Sequence, residues 1–238
     1  MKKKMRILAV GAHPDDIELC CAGTLARFVH EGHHVTMCFV CRGDAASYEV
    51  GPEEIARIRA KEAKLSAEII GADLIAGLGL GDGEVYVNRE NTIRFLDLIR
   101  QAKPDLVITH NEEDYLQDHY NTARLIFEAS LFSSTDNIKT SYPAHPVVPA
   151  IFHMQPYAGV NFCPEEYVDI TDTFETKVKM LSQHKSQLEF MKEHFGDDML
   201  EAIRVEGRFW GRQAGVKYAE GFIPHRSYPR IKPYRMLP

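Results

Sequence analysis

The chain has 238 residues, 45% of them hydrophobic, which suits a single domain with one core. Its formal net charge is −6, and no basic patch with interleaved aromatic residues stands out, so nucleic acid is not the expected partner. No apolar run approaches the roughly 18 residues of a membrane helix, and the short lysine run at 2–4 opens directly into a predicted strand. We therefore expect neither a membrane span nor a signal peptide.

The five cysteines indicate a reducing compartment. Their number is odd, and four of them lie in or beside predicted core elements, which favours buried free thiols and a cytoplasmic location over a disulfide framework. Cys38 and Cys41 form a single C-x-x-C pair inside an apolar run. Because no second pair exists in the sequence, we interpret them as core thiols and not as zinc ligands.

Strand and helix patterns alternate four times in the first half of the chain. The predicted strands are 6–12, 35–41, 72–80 and 106–109, and the predicted helices are 17–31, 52–70, 91–101 and 119–133. Short connections between alternating elements predict a parallel sheet with helices on both faces. With right-handed crossovers, the fold class is α/β, a Rossmann-like three-layer sandwich with a mostly parallel sheet.

The second half of the chain is less regular. Its predicted elements are a proline-rich loop at 143–149, a strand within 147–156, a strand at 167–170, a helix from Asp172 or Thr173 to about 195 and a helix at 198–210. Residues 224–238 hold four prolines and three arginines. We expect one domain over 1–238, with 224–238 as an extended arm on the surface or on another subunit of a homo-oligomer.

The motif Ala12-His13-Pro14-Asp15-Asp16 follows the first predicted strand. It places three groups that bind metals or move protons at a strand end, where open α/β sheets keep their sites. The alternative is that an aspartate only caps the next helix, but one aspartate would suffice for that. The turn lacks the G-x-G-x-x-G pattern, so a nicotinamide or nucleotide cofactor is not expected.

A second polar segment, residues 110–119, follows the fourth predicted strand. A hydrolytic zinc site needs about three protein ligands and one open position. His13 and Asp16 supply two, and the first and fourth strands of a doubly wound sheet flank the same crevice. The third ligand would come from the segment after the fourth strand, where His119, at the start of a helix, and His110, closer to the strand end, are the two candidates.

These motifs resemble those of the LmbE/PIG-L zinc-dependent de-N-acetylases. His13-Pro14-Asp15-Asp16, together with residues 19–24, resembles the first motif of that family. Asp118-His119 resembles the end of its second motif. Further similar segments follow in order at 36–44, 59–71, 82–83, 168–171, 177–187 and 218–222. The resemblance spans about residues 5–223.

The resemblance implies a site and a reaction. His13, Asp16 and His119 would bind Zn²⁺, or another divalent ion such as Fe²⁺, and Asp15 would be the general base. Zinc-bound water would then remove the N-acetyl group of an N-acetylglucosaminyl-type substrate, a small-molecule amino-sugar conjugate.

Other matched positions would support the site. Asp118 would orient a histidine ring or its loop from outside the ligand set. Arg42, Asp82 and His110 are candidates for substrate binding. For Arg42 and Asp82, salt bridges that stabilise their loops are the alternative. A structural role is expected for His184.

The sequence departs from the family pattern at Leu116. The second family motif begins with histidine there, and Gln117 replaces its usual proline. Leucine can neither stabilise an oxyanion nor protonate a leaving amine. Three explanations are open. His110, Tyr115 or His153 fills the role, the substrate needs less assistance, or the chain is a catalytically weak, metal-dependent sugar-binding protein.

Overall fold

The computed structural model describes residues 4–75 and 77–230. Its strands are β1 (Arg6–Gly11), β2 (His34–Phe39), β3 (Asp73–Ile75), β4 (Leu106–Thr109), β5 (Ala150–Met154), β6 (Glu166–Asp169) and β7 (Ala219–Pro224). Its helices are α1 (Asp16–Cys20), α2 (Ala22–His30), α3 (Pro52–Ile70), α4 (Arg89–Ala102), α5 (Gln117–Phe132), α6 (Phe174–Leu181), α7 (Lys185–Phe195) and α8 (Met199–Ala214). Within these described ranges, no helix is long and apolar enough to cross a bilayer.

The strands form one sheet in the order β3-β2-β1-β4-β5-β7-β6. The first five strands of the chain pair in parallel, whereas β7 runs antiparallel to both β5 and β6. The predicted mostly parallel α/β fold is therefore confirmed. Strand β7 was not predicted, because its partners lie far away in the chain and its own residues carry no turn signal that indicates the pairing.

The core lies on both faces of the sheet. Along β1, Ile7 and Ala9 pack on the face covered by α1, α2, α3 and α6. Leu8 and Val10 pack on the opposite face, beneath α4 and α5. A strand covered on both sides needs a continuous apolar run, which explains the pattern that identified it. The three predicted layers are present.

The predicted helix over 17–31 is wrong in one respect, because it is broken into α1 and α2. Cys21 leaves the helical conformation at φ −147°. The carboxylate of Glu220, from β7, accepts hydrogen bonds from the backbone N–H groups of Gly23 (3.0 Å) and Thr24 (2.7 Å). A buried carboxylate at this position stabilises the start of a new helix, since the first N–H groups of a helix lack internal partners.

The predicted third strand, over 72–80, is also shorter in the structure. β3 covers only its first part, and Leu80 forms an isolated bridge with Cys41. A Cβ atom at Gly77 would lie 2.5 Å from the backbone oxygen of Phe39, so the chain approaches β2 more closely there than a side chain allows. Close backbone approach thus replaces regular pairing.

The helix predicted up to about residue 195 divides into α6 and α7. His184 leaves the helical conformation between them, with φ −82° and ψ 56°. Its ring is fully buried, and Nε2 lies 3.2 Å from Oε1 of Glu18. The remaining predicted elements are present with ends shifted by a few residues.

The predicted arm begins as a continuation of β7 beside β5. Beyond β7, the N–H of His225 donates to the carbonyl of Ile151 (2.9 Å), and Nε of Arg230 donates to the carbonyl of Pro149 (3.0 Å). Residues 231–238 of the predicted arm lie outside the described part of the chain. Four cysteines predicted to be core thiols are buried and free: Cys20, Cys21, Cys38 and Cys41.

The ion pair behind α2 gives a stability prediction. Nζ of Lys177 lies 2.6 Å from Oε1 of Glu220, and both side chains are almost fully buried. Lys177→Met leaves that carboxylate buried without its cation, so we expect the free energy of unfolding to fall by about 3–5 kcal/mol. Urea denaturation measures the loss, and Lys179→Met on the exposed side of α6 is the control. Equal, small effects of the two substitutions would contradict the assigned role of the pair.

Candidate active site

Two loops meet at the carboxyl ends of β1 and β4. These strands are neighbours in the sheet, with Val10 opposite Thr109. The Ala12–Asp16 motif follows β1, and the segment leading into α5 follows β4. The structure therefore brings His13 and Asp16 together with His119, although about a hundred residues separate them in the chain.

The facing atoms of these three side chains lie 3.3–3.6 Å apart, with each imidazole facing a different oxygen of Asp16. Nδ1 of His13 lies 3.3 Å from Nε2 of His119, which lies 3.4 Å from Oδ1 of Asp16. Nδ1 of His13 is 3.6 Å from Oδ2 of Asp16. Ligand atoms about 2.0–2.1 Å from a tetrahedral metal ion are separated by about 3.3–3.4 Å. The three groups could hold one ion with little movement.

A carboxylate holds the outer nitrogen of each imidazole. Nε2 of His13 lies 3.0 Å from Asp118, and Nδ1 of His119 lies 3.0 Å from Asp114. Asp118 is itself fixed by the N–H of Gly83 (2.7 Å). This arrangement, in which a carboxylate orients a histidine whose other nitrogen is free to ligate, is typical of metal sites.

The cluster carries more carboxylates than imidazoles. Burial opposes charge on the rings, but hydrogen bonds to Asp118 and Asp16 raise the pKa of His13 to about 10. Burial likewise opposes charge on His119, but Asp16 and Asp114 raise its pKa to about 9. Burial also opposes charge on the carboxyls of Asp16, Asp114 and Asp118. The contacts with the histidine rings nevertheless hold the pKa of each carboxyl below its usual range. The site thus favours a cation.

Asp15 lies beside this cluster in a strained backbone conformation, with φ 135°. Burial raises the pKa of its carboxyl to about 6, against the opposing charge of Arg59. Arg59 is buried, donates to the carbonyl of Pro14 (2.7 Å) and lies 3.4 Å from Oδ1 of Asp15. It fixes both the backbone and the carboxylate of this turn.

His110 is enclosed behind the cluster. Its ring stacks on that of His119, with 3.9 Å between centroids. Its Nε2 accepts a hydrogen bond from the N–H of Ala12 (2.8 Å) and lies 3.1 Å from Oδ2 of Asp16. Burial lowers the pKa of His110 to about 4. His110 is thus a buried neighbour of Asp16 and His119, away from solvent, and the lone pair of its Nε2 is used by the N–H of Ala12.

The two other substrate-binding candidates are engaged within their loops. Arg42 forms ion pairs with Asp44 (2.5 Å) and Glu53 (3.0 Å). Asp82 accepts a hydrogen bond from the N–H of Gly43 (2.9 Å). These contacts stabilise the two loops, which is the role given above as the alternative to substrate binding for Arg42 and Asp82.

Leu116 is 41% exposed and caps α5, and its N–H donates to Oδ1 of Asp114 (3.0 Å). Of the three residues considered as substitutes for a histidine here, His110 and His153 are buried. Tyr115 is 52% exposed and borders the cluster through Asp114. Among these three, Tyr115 is the one whose side chain a substrate could reach.

Sequence reasoning missed two residues of the site. Asp114 lay within the polar segment 110–119, but its pairing with His119 depends on the turn that closes before α5. Arg59 was treated as part of a charged helix. The available signal was an arginine at a position that shares the inward side of the helix with apolar residues such as Ile55 and Ala63.

Relatives of known name align with nearly the whole chain. It is 28% identical to diacetylchitobiose deacetylase of Thermococcus kodakarensis, over 92% of this chain and 83% of the relative. It is 26% identical to 4-oxalmesaconate hydratase of Pseudomonas putida, over 94% of this chain and 90% of the relative. The structure of N,N'-diacetylchitobiose deacetylase from Pyrococcus horikoshii, complexed with its inhibitor, superposes with a TM-score of 0.82 at 26% identity, covering 94% and 85% of the chains.

A family model described as "PIG-L: GlcNAc-PI de-N-acetylase" matches residues 8–130. This range holds both loops of the site, from the His13 turn to the start of α5. The resemblance found in the sequence motifs is thereby confirmed, and the chain belongs to the PIG-L family of GlcNAc-PI de-N-acetylases.

Proposed function

We propose that the chain is a metal-dependent hydrolase that removes the N-acetyl group of an N-acetylglucosaminyl-type substrate. The observation that carries this proposal is the position of Asp15, a buried carboxylate beside three side chains whose facing atoms have about the spacing of metal ligands. The names of the deacetylase relatives support the choice of an acetylated amino sugar.

His13, Asp16 and His119 would hold the metal ion. Two imidazoles and one carboxylate are a donor set that fits Zn²⁺, and Fe²⁺ or another divalent ion is compatible with it. When bound, such an ion lowers the pKa of water and polarises a carbonyl group. Asp118 and Asp114 orient the two rings, which leaves Nδ1 of His13 and Nε2 of His119 free to bind such an ion.

Asp15 transfers a proton from the attacking water to the leaving nitrogen. With a pKa of about 6, its carboxylate is mostly ionised at neutral pH and can accept a proton from the attacking water. The oxygen of that water would form a bond to the carbonyl carbon of the amide. The C–N bond would then break, and the same carboxyl would return the proton to the leaving nitrogen, which gives acetate and an amine. Arg59 keeps this carboxylate in place through Pro14 and its own ion pair.

A second candidate function is the addition of water to a carbon–carbon double bond. Leu116 favours it, because hydration has no leaving amine to protonate. A relative that aligns with 94% of the chain is named a hydratase. The same metal ligands and Asp15 would serve this reaction, so an assay with unsaturated carboxylic acids separates the two functions.

The role of Asp15 can be tested with Asp15→Asn. We expect release of free amine from a panel of N-acetylglucosaminyl compounds to fall by about 10²–10⁴-fold, because the substituted amide cannot accept a proton. Metal content should stay at the wild-type level. Asp172→Asn, at an exposed aspartate, is the control. Turnover that survives in Asp15→Asn would exclude Asp15 as the base.

The assigned metal ligands can be tested through Asp114. Asp114→Asn should reduce the affinity for Zn²⁺ by about 10–100-fold, since His119 loses the carboxylate that orients its ring. Competition with a chromophoric chelator measures the affinity. Glu113→Gln removes a neighbouring exposed acid and should leave the affinity unchanged. Identical affinities for the two variants would argue against His119 as a ligand.

The departure at Leu116 can be tested by restoring the family residue. We expect Leu116→His to give no gain in amide hydrolysis, because an evolved site fills this role with another group such as Tyr115. Leu116→Ala controls for the loss of the leucine side chain. A gain of about 10²-fold or more, the effect of one oxyanion donor, would instead favour a degenerate site and the sugar-binding alternative.

A further inference from the structure

We propose that this chain binds a second divalent transition-metal ion, at a site formed by His153, His225 and Glu112. None of these residues belongs to the ligand set described above, so the inference does not rest on the proposed function. The three ligand atoms lie within 4.8 Å of one another.

Sheet pairing brings the two histidines together. His153 lies on β5, opposite Ile223 of β7. His225 follows β7 directly, and its N–H is bonded to the carbonyl of Ile151. Glu112 lies in the loop that follows β4, the neighbour of β5 on its other side. Three separate backbone segments thus direct donor atoms to one point.

The donor atoms are oriented for ligation. Nδ1 of His153 donates to the carbonyl of His110 (2.6 Å), so the lone pair of Nε2 points away from that bond. This Nε2 lies 3.0 Å from Nδ1 of His225, which lies 3.7 Å from Oε1 of Glu112. One of these two distances is shorter and the other longer than the separation of about 3.3–3.4 Å between ligand atoms of a tetrahedral ion. A carbonyl that orients a ligating imidazole is the usual outer partner of such a site.

The surroundings also suit a metal ion. His153 is buried, and burial lowers its pKa, which keeps the ring neutral and able to ligate. The ring of His225 packs against Phe127, with 4.6 Å between centroids. The side chain of Glu112 is 44% exposed, so an ion can enter from solvent and keep water as a further ligand.

The donor set defines the class of ion. Two imidazoles and one carboxylate suit Zn²⁺, Co²⁺ or Ni²⁺, whereas Ca²⁺ and Mg²⁺ prefer sites made of oxygen alone. The guanidinium of Arg230 lies over the same Phe127 ring, 5.4 Å from its centroid. Its positive charge opposes a nearby cation, so this site should be weaker than the one at His13.

The test is a titration of the metal-free full chain with Co²⁺, in which the visible absorption of the bound ion reports binding. We expect two equivalents to bind, the second more weakly. His225→Gln should keep the first equivalent and lose the second. His225 is a suitable position because it follows β7 and lies outside the ligand set at His13. Thermal unfolding followed by circular dichroism verifies that the variant is folded.

Two further variants separate this site from the first. Asp16→Asn should weaken binding of Co²⁺ at the His13 site and leave binding at the His225 site unchanged. The two sites can then be lost independently of each other. Glu113→Gln, beside Glu112, should bind two equivalents as the wild type does. The proposal is overturned if the wild type binds a single equivalent, or if His225→Gln still binds two.

Discussion

The parallel pairing of β1 with β4 is the constraint on which the site depends. Hydrogen bonding between these strands fixes their carboxyl ends side by side, with Val10 opposite Thr109. The loops that follow must therefore share one crevice. That sharing sets His13 3.3 Å from His119. Because both strands are buried on both faces, the packed core holds this geometry.

Buried charge is balanced locally throughout this region. Each imidazole of the cluster has its own carboxylate, and Asp118 is bonded to the N–H of Gly83 in the loop beyond β3. Isolated buried charges would cost several kcal/mol each, so pairing is what allows the cluster to exist. The same logic explains Glu220, which binds Lys177 and the start of α2. That contact anchors the helix pair that follows the His13 turn.

Much of this was predictable from local sequence patterns. Alternating strand and helix patterns predicted the α/β sheet, and strand-end motifs predicted that His13, Asp16 and His119 would meet. The predictions that proved wrong concerned features that depend on residues remote in the sequence. The break between α1 and α2 is set by Glu220, 197 positions from Gly23. The pairing of β7 and the cluster at His225 likewise require the tertiary fold.

Anomalous scattering from crystals of the zinc-loaded chain would locate the metal ion and identify its ligands. We expect the ion in the cleft between β1 and β4 to be bonded to Nδ1 of His13, the carboxylate of Asp16 and Nε2 of His119, with Asp15 nearby and not coordinated. An ion held there by other side chains, or a cleft without one, would contradict it.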